Sequence, residues 1–199
     1  VLRARPYVAV VALAFLALFV ASGVRAAPTV MITPLGDEFG WGVDGISLAV
    51  GLSLVTFALM GPFSAALMQR FGIRWVAGFA LAALAAGSGL TIVMGALWQY
   101  DLLWGVVVGA ATGCLSSPLV ALVSERWFVH RRGLVTGLLS AAYATGQLVF
   151  LPFLAYLARE VDWRAAVALV AGVAALCAPL FLAVMRERPS DLGLPRLGL

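Results

Sequence analysis

The sequence predicts an all-α polytopic membrane protein, a single membrane domain of six transmembrane helices arranged as two inverted three-helix repeats. Three observations lead there: the apolar composition, six long apolar runs, and the one-sided placement of arginine. Of 199 residues, 63% are hydrophobic and 11% charged, and the mean hydropathy is +1.06. Soluble domains run at roughly 45–50% apolar and about 25% charged. Folded in water, such a chain exposes large apolar patches of the kind soluble monomers avoid.

The runs follow in order. The first spans about Tyr7 to Thr33, the second Gly45 to Met68 and the third Trp75 to Leu97. The fourth covers Leu102 to Val123, the fifth Leu134 to Ala158 and the sixth Ala165 to Met185. Each reaches the ~20 residues that a spanning helix needs. Spanning β-strands would show ~10-residue segments of alternating polarity, and none is present.

All 13 basic residues are Arg. Arg3, Arg5, Arg70, Arg74, Arg126, Arg131, Arg132, Arg186, Arg188 and Arg196 fall on one side of the six spans. The other side holds Arg159 and Arg164 among Asp37, Glu38, Asp44, Asp101, Glu160 and Asp162. This asymmetry predicts that both termini are cytoplasmic. Basic residues confined to short gaps do not build the solvated face that nucleic acid requires. One competing reading takes Arg3, Arg5 and the run ending at Val24-Arg25-Ala26-Ala27 as a cleavable leader. The run Tyr7–Val24 is longer than the 7–15 residues typical of such a segment, and cleavage would remove one span from the repeat.

A shift of ninety positions aligns Pro62-Phe63 with Pro152-Phe153, Ala65 with Ala155, Leu67 with Leu157 and Arg74 with Arg164. Three spans separate the copies, so the second, about 102–185, is inverted relative to the first, about 7–97. Inverted three-helix repeats mark transporters, whose sites lie near the midplane. Shared Leu/Ala composition is the competing explanation.

The gap after the second span reads Ala65-Ala66-Leu67-Met68-Gln69-Arg70-Phe71-Gly72-Ile73-Arg74. It resembles the loop signature of the major facilitator superfamily, Gly-x-x-x-Asp-Arg-x-Gly-Arg-Arg, at Arg70, Gly72 and Arg74. Gln69 departs from it where the family has an Asp that holds the cytoplasmic gate by charge pairing. Further stretches are Glu38-Phe39-Gly40-Trp41, Arg126-Trp127-Phe128 with Arg131-Arg132-Gly133, and Arg188-Pro189-Ser190-Asp191-Leu192-Gly193. As a set they resemble the bacterial monocarboxylate-porter and oxalate/formate-exchanger-like branch. The resemblance implies half of a twelve-span secondary carrier for small organic anions in the bacterial cytoplasmic membrane, with Arg70, Gly72 and Arg74 in the gate and 186–199 as a tail or the start of a central loop. It also implies a partner, either a second six-helix half or another copy. A non-transporting bundle subunit and an inactive fragment stay open as alternatives.

Arg25 is the sharpest candidate for a site. An Arg at mid-span costs ~2.5–3.5 kcal/mol to insert and so normally faces a cavity or partner. Its planar guanidinium suits a carboxylate, and Ser22 and Thr29 share its helix face. Snorkelling to the interface competes with this reading. Thr136, Ser140, Tyr143 and Gln147 form a polar stripe on the fifth span; Tyr143 and Gln147 are candidates for hydrogen bonds to substrate or for helix glue. Gly105, Gly109 and Gly113 form a small-residue packing ridge. Thr112, Ser116 and Ser117 nearby either face a cavity or bond to their own backbone.

No acid lies well inside a span, since Asp44 and Glu125 sit at ends, and His130 lies in an Arg-rich gap. Gly87-Ser88-Gly89 resembles the nucleophile neighbourhood of intramembrane serine proteases, but no span holds a His or Lys to serve as base. No enzymatic activity, catalytic residue, metal site or cofactor is expected. Cys114 and Cys177 read as small packed hydrophobes.

Overall fold

The computed structural model describes residues 5–192; Arg3, Gly193 and Arg196 lie outside that range. Six helices account for nearly all of it: α1 (Arg5–Phe39), α2 (Val43–Phe71), α3 (Ile73–Thr91), α4 (Leu97–Trp127), α5 (Arg132–Glu160) and α6 (Trp163–Val184). All six are long and apolar enough to cross a membrane. No β-strand forms among the described residues. In hydrocarbon this is the economical solution, because a helix satisfies its backbone polar groups internally.

Two spans differ from the sequence reading in instructive ways. The third helix stops at Thr91, short of the expected Leu97, and Ile92–Ala96 turn the chain. These turn residues are themselves apolar, so hydropathy carries no sign of the stop. The fourth span is one apolar run but not one regular helix. It opens as a short α-turn, runs as π-helix over Asp101–Val108 and returns to α-helix over Gly109–Cys114. It then breaks at Leu115 and Ser116 and restarts as Ser117–Trp127, with Pro118 in the first turn. Proline is tolerated there because its missing N–H has no intrahelical partner anyway.

The helices pack in three dominant pairs, α1 with α5, α2 with α4, and α3 with α6. Exchanging α1 with α4, α2 with α5 and α3 with α6 maps this set of pairs onto itself. Two three-helix units related by a pseudo-twofold axis require that pattern. Pro62 and Pro152, aligned by the ninety-residue shift, lie at nearly the same register in α2 and α5.

Glycine sets how closely two of these pairs approach. A methyl group at Gly109 would meet Thr56 Oγ1 at 2.1 Å and the Ser53 backbone at 2.9 Å; one at Gly113 would meet the Phe57 carbonyl at 2.7 Å. Gly105 faces Leu52, and its carbonyl accepts a 2.6 Å hydrogen bond from Thr56 Oγ1. The ridge read from the sequence is therefore the α2–α4 seam. At the α1–α5 crossing, a methyl at Gly146 would fall 1.9 Å from Ser22 Oγ and 2.7 Å from the Phe19 carbonyl. Small residues at such crossings let backbones approach and dispersion act over the whole contact.

The core is mostly apolar, with Trp104, Trp127 and Tyr100 among its largest enclosed side chains and a few buried Ser and Thr between them. Cys114 and Cys177 are free and buried. The least enclosed helices are α2 and α5.

Replacing Gly113 or Gly146 by Val is expected to destabilise the bundle by ~1–3 kcal/mol, the usual range for overpacking. Gly51→Val, where a Cβ meets nothing within 4 Å, should stay within ~0.5 kcal/mol of the parent. Thermal unfolding of the three variants in one detergent checks this; equal melting points for all three would remove the close-approach role.

Candidate functional site

Arg25 lies partly buried on α1, between the first and second halves of the bundle. Its guanidinium carbon sits 4.1 Å from the centroid of the Phe57 ring on α2. Among the described residues, no carboxylate pairs with Arg25. With Pro28, Thr29, Val50, Ser53, Trp104 and Thr112, it lines a cavity of about 100 Å³. At ~30 Å³ per water, that is room for a few waters or one small anion.

A second cavity of about 250 Å³ adjoins the same ring. It is lined by Leu18, Phe57, Ser116, Ser117, Val120, Ser140 and Tyr143. The break in α4 turns Ser117 toward it, while Ser116 spends its hydroxyl on the Gly113 carbonyl at 2.6 Å. The Tyr143 hydroxyl is enclosed and unpartnered, at the margin of hydrogen-bonding range from Arg25, whose charge acts on it.

The structure thus brings Arg25, Thr29 and Tyr143 to two adjoining cavities. Ser22 is placed elsewhere: it is fully buried at the α1–α5 crossing, and its hydroxyl donates to the Phe19 carbonyl at 2.9 Å. Gln147 is exposed one turn beyond Tyr143 on α5 and lines neither cavity. Thr136 donates to Ser124 Oγ on α4 at 3.1 Å. Ser88 is buried and donates to the Leu84 carbonyl, with no base beside it. Two larger grooves of about 640 Å³ each are walled almost wholly by apolar side chains.

At the end of the bundle nearest the termini, one carboxylate organises three helices. Glu187, just past α6, accepts from the backbone N–H of Ile73 and of Arg74, each at 2.8 Å, and thereby caps α3. It also pairs with Arg126 at the end of α4 at 3.1 Å. Arg126 in turn reaches the Met68 carbonyl of α2 at 3.4 Å. A carboxylate at a helix N-terminus is favourable by ~0.3–1 kcal/mol at exposed sites, and more when partly buried.

Gly72 makes room for this cluster. Its φ of 96° lies in the region that disfavours side chains, and a Cβ there would stand 2.4 Å from Glu187 Oε1. Arg74 Nε donates to the Leu182 carbonyl of α6. Arg70 is exposed and lies over the Phe71 ring at 5.4 Å. The sequence lacks an acid at position 69, and the carboxylate at this end comes instead from Glu187. Sequence reasoning did not single it out, because nothing local links residue 187 to a helix that starts at 73.

The opposite end is closed by Glu38 at the end of α1. It takes a hydrogen bond from Trp163 Nε1 at 2.6 Å and both terminal nitrogens of Arg164, at 3.0 and 2.5 Å. Phe39, Trp41, Tyr100, Trp104 and Trp163 pack as a chain of rings beneath it.

Residues 14–197 match the family model described as Major Facilitator Superfamily. The chain is 31% identical over 145 residues to the oxalate:formate antiporter of Oxalobacter formigenes, covering 71% of this chain and 34% of that protein. It is 28% identical to the membrane sensor protein UhpC of Escherichia coli K12 (77% of this chain, 35% of the relative) and 28% to human monocarboxylate transporter 14 (74% and 29%). It therefore spans about a third of the length of these relatives. The inward-open xylose transporter XylE of E. coli superposes with a TM-score of 0.78 at 18% identity, over 94% of this chain and half of that one.

Glu187→Ala is expected to cost ~1.5–3 kcal/mol, the range for charged hydrogen bonds. Glu187→Gln should recover only part of this, since it keeps one of the two acceptor oxygens and loses the charge. Gly72→Ala should cost more than Glu187→Ala, because it displaces the same carboxylate and also forces a side chain onto a positive φ. Denaturation in mild detergent measures all three, and a Glu187→Ala protein as stable as the parent removes the cluster's structural role.

Proposed function

The chain belongs to the Major Facilitator Superfamily, and from that premise we propose that it forms the N-terminal half of a secondary active transporter for small organic anions such as monocarboxylates. The observation that carries this reading is Arg25: a cation within an apolar span, unpaired with any carboxylate among the described residues, lining a cavity of anion size. A charge in that position is costly, and a carboxylate that docks on its planar N–H edge offsets the cost in both charge and geometry. Two similar proteins are named for carboxylates, the oxalate:formate antiporter and monocarboxylate transporter 14.

In this reading Arg25 holds the carboxylate. Thr29 and Tyr143 supply hydrogen bonds from the cavity walls, while Ser22 packs at the α1–α5 crossing and Gln147 faces outward from α5, both outside the two cavities. Arg70, Gly72 and Arg74 belong to the gate at the terminal end, where Glu187 and Arg126 act with them. The working unit is two inverted repeats, about 7–97 and 102–185, with 186–199 as a cytoplasmic tail or the start of a central loop. The arginine-rich end faces the cytoplasm of a bacterial cell, so both termini do too. Alternating access then rocks this half against a partner around the midplane.

The exposed faces of α2 and α5 are where that partner sits, as a second six-helix half or another copy. Ser140 and Gln147 are exposed there beside Leu138, Leu148 and Phe153, and polar side chains at membrane depth face protein or water.

Counterflow of labelled formate, acetate, lactate and oxalate in proteoliposomes tests the proposal. Uptake by the chain, cut at least tenfold in Arg25→Ala at equal insertion, is the expected result. Uptake of all four that ignores the substitution removes Arg25 from the site. A chain that neither takes up nor binds any of them favours the non-transporting bundle. For topology, single cysteines at His130 and Gly42 should react from opposite sides with a membrane-impermeant maleimide, His130→Cys from the cytoplasmic side.

A further inference from the structure

Arg25 lines the smaller cavity and Phe57, the ring it rests on, the larger, and residue order along the helices fixes their levels. On α1, Leu18 lines the larger cavity and Pro28 and Thr29 the smaller, with Arg25 between. On α2, which runs the other way, Val50, Ser53 and Leu54 line the smaller and Phe57 the larger. On α4, Trp104 to Thr112 line the smaller, and Ser116 to Val120 the larger. All three helices give one answer: the cavities stack along the bundle axis, and the Arg25–Phe57 pair forms the partition.

The ring also solves an electrostatic problem. A guanidinium in an apolar span lacks both water and, among the described residues, a counter-charge. The face of an aromatic ring carries partial negative charge and attracts a cation within ~6 Å; here the separation is 4.1 Å. A ring, unlike a carboxylate, leaves the cation's net charge intact. Contact through the guanidinium carbon leaves the N–H groups to other acceptors, of which the Tyr143 hydroxyl is the near one among the described residues. The contact is held from behind, since a Cβ on Gly113 would strike the Phe57 carbonyl at 2.7 Å. Phe57 is thus fixed by the α2–α4 seam, and the ring in turn fixes the cation.

Resting on the carrier reading above, we propose that Phe57 is the positioning residue of the anion site. Its ring face holds the Arg25 guanidinium at the partition between the two cavities, charged and with its N–H edge presented to a carboxylate. The aromatic character of position 57, and not its bulk alone, therefore sets anion affinity. No direct contact between Phe57 and the anion is required.

Progressive fluorination of Phe57 tests this, because each fluorine drains charge from the ring face while nearly preserving its shape. The first readout needs no transport: modification of Arg25 by phenylglyoxal, followed by mass spectrometry on the purified chain. The rate should rise stepwise, by about tenfold from Phe to trifluoro-Phe, at constant melting temperature. Phe57→Leu should match the trifluoro form, and Phe57→Trp should stay slow. A flat rate across the series overturns the proposal.

The second readout is counterflow, with KM rising stepwise along the series and maximal rate unchanged. A flat KM in a carrier that Arg25→Ala abolishes overturns the positioning role and leaves the carrier reading standing. A graded modification rate in a chain whose uptake ignores Arg25→Ala leaves the ring–cation contact but overturns both the site and its positioning residue.

Discussion

The approach of α4 to α2 is the constraint on which the rest of the bundle depends. Within a bilayer there is no hydrophobic gain from pressing two helices together, so contact area and interhelical hydrogen bonds must do it. Gly105, Gly109 and Gly113 remove the side chains that would keep the backbones apart, and Thr56 donates across the gap to the Gly105 carbonyl. What this fixes extends well beyond two helices. Phe57 is held against Gly113, Arg25 rests on Phe57, and the two cavities take their walls from the residues on either side. The π-helical stretch belongs to the same device: it contains Gly105 and ends just before Gly109, and its wider turns set the rotational phase in which Gly109 and Gly113 follow.

The antiparallel pair of α3 and α6 is pinned at both ends by carboxylates. Glu187 caps the start of α3 beside the end of α6, and Glu38 grips the start of α6 through Arg164 and Trp163. Between them Gly78 receives the side chain of Leu182. The two clasps differ in kind. The first binds backbone amides and orients a helix axis; the second binds side chains and ties α6 to the end of α1. Charge is therefore spent where water can reach, and dispersion holds the middle.

The sequence made the six spans legible because hydropathy over twenty residues is a strong signal, and the clustering of Arg in alternate gaps sharpened it. It made the glycine ridge legible because spacing by four residues puts small side chains on one helix face. The end of α3 was hidden by an apolar turn. The restart of α4 did leave a trace, since Ser116-Ser117-Pro118 is a plausible start for a new helix, but a continuous apolar run outweighed it. Arg25 stood out because charge within a span is rare. Phe57 could not, because one phenylalanine among 11 carries no mark of what lies across from it. Glu187 and Glu38 act through partners more than a hundred residues away, and such pairings belong to the fold alone. Ser22 shares a face with Arg25, as its spacing implied, yet that face is wide enough for one residue to meet α5 and the other a cavity.

The three helix pairings also bear on how the protein is made. The most apolar spans are α6 and α1, and the least apolar are α3 and α5. Each weak span packs against a strong one, α5 on α1 and α3 on α6. During synthesis α5 emerges into a bilayer where α1 already waits. The third span has no such companion until the sixth has been made, almost a hundred residues later. From the moment α3 leaves the ribosome until α6 arrives, Gly78 and Gly89 lack the surface they face, while the Ser88 and Thr91 hydroxyls already bond to carbonyls of their own helix. Until then α3 rests on its thinner contacts with α2 and α4, so its place in the bundle is completed only when the last span closes over it.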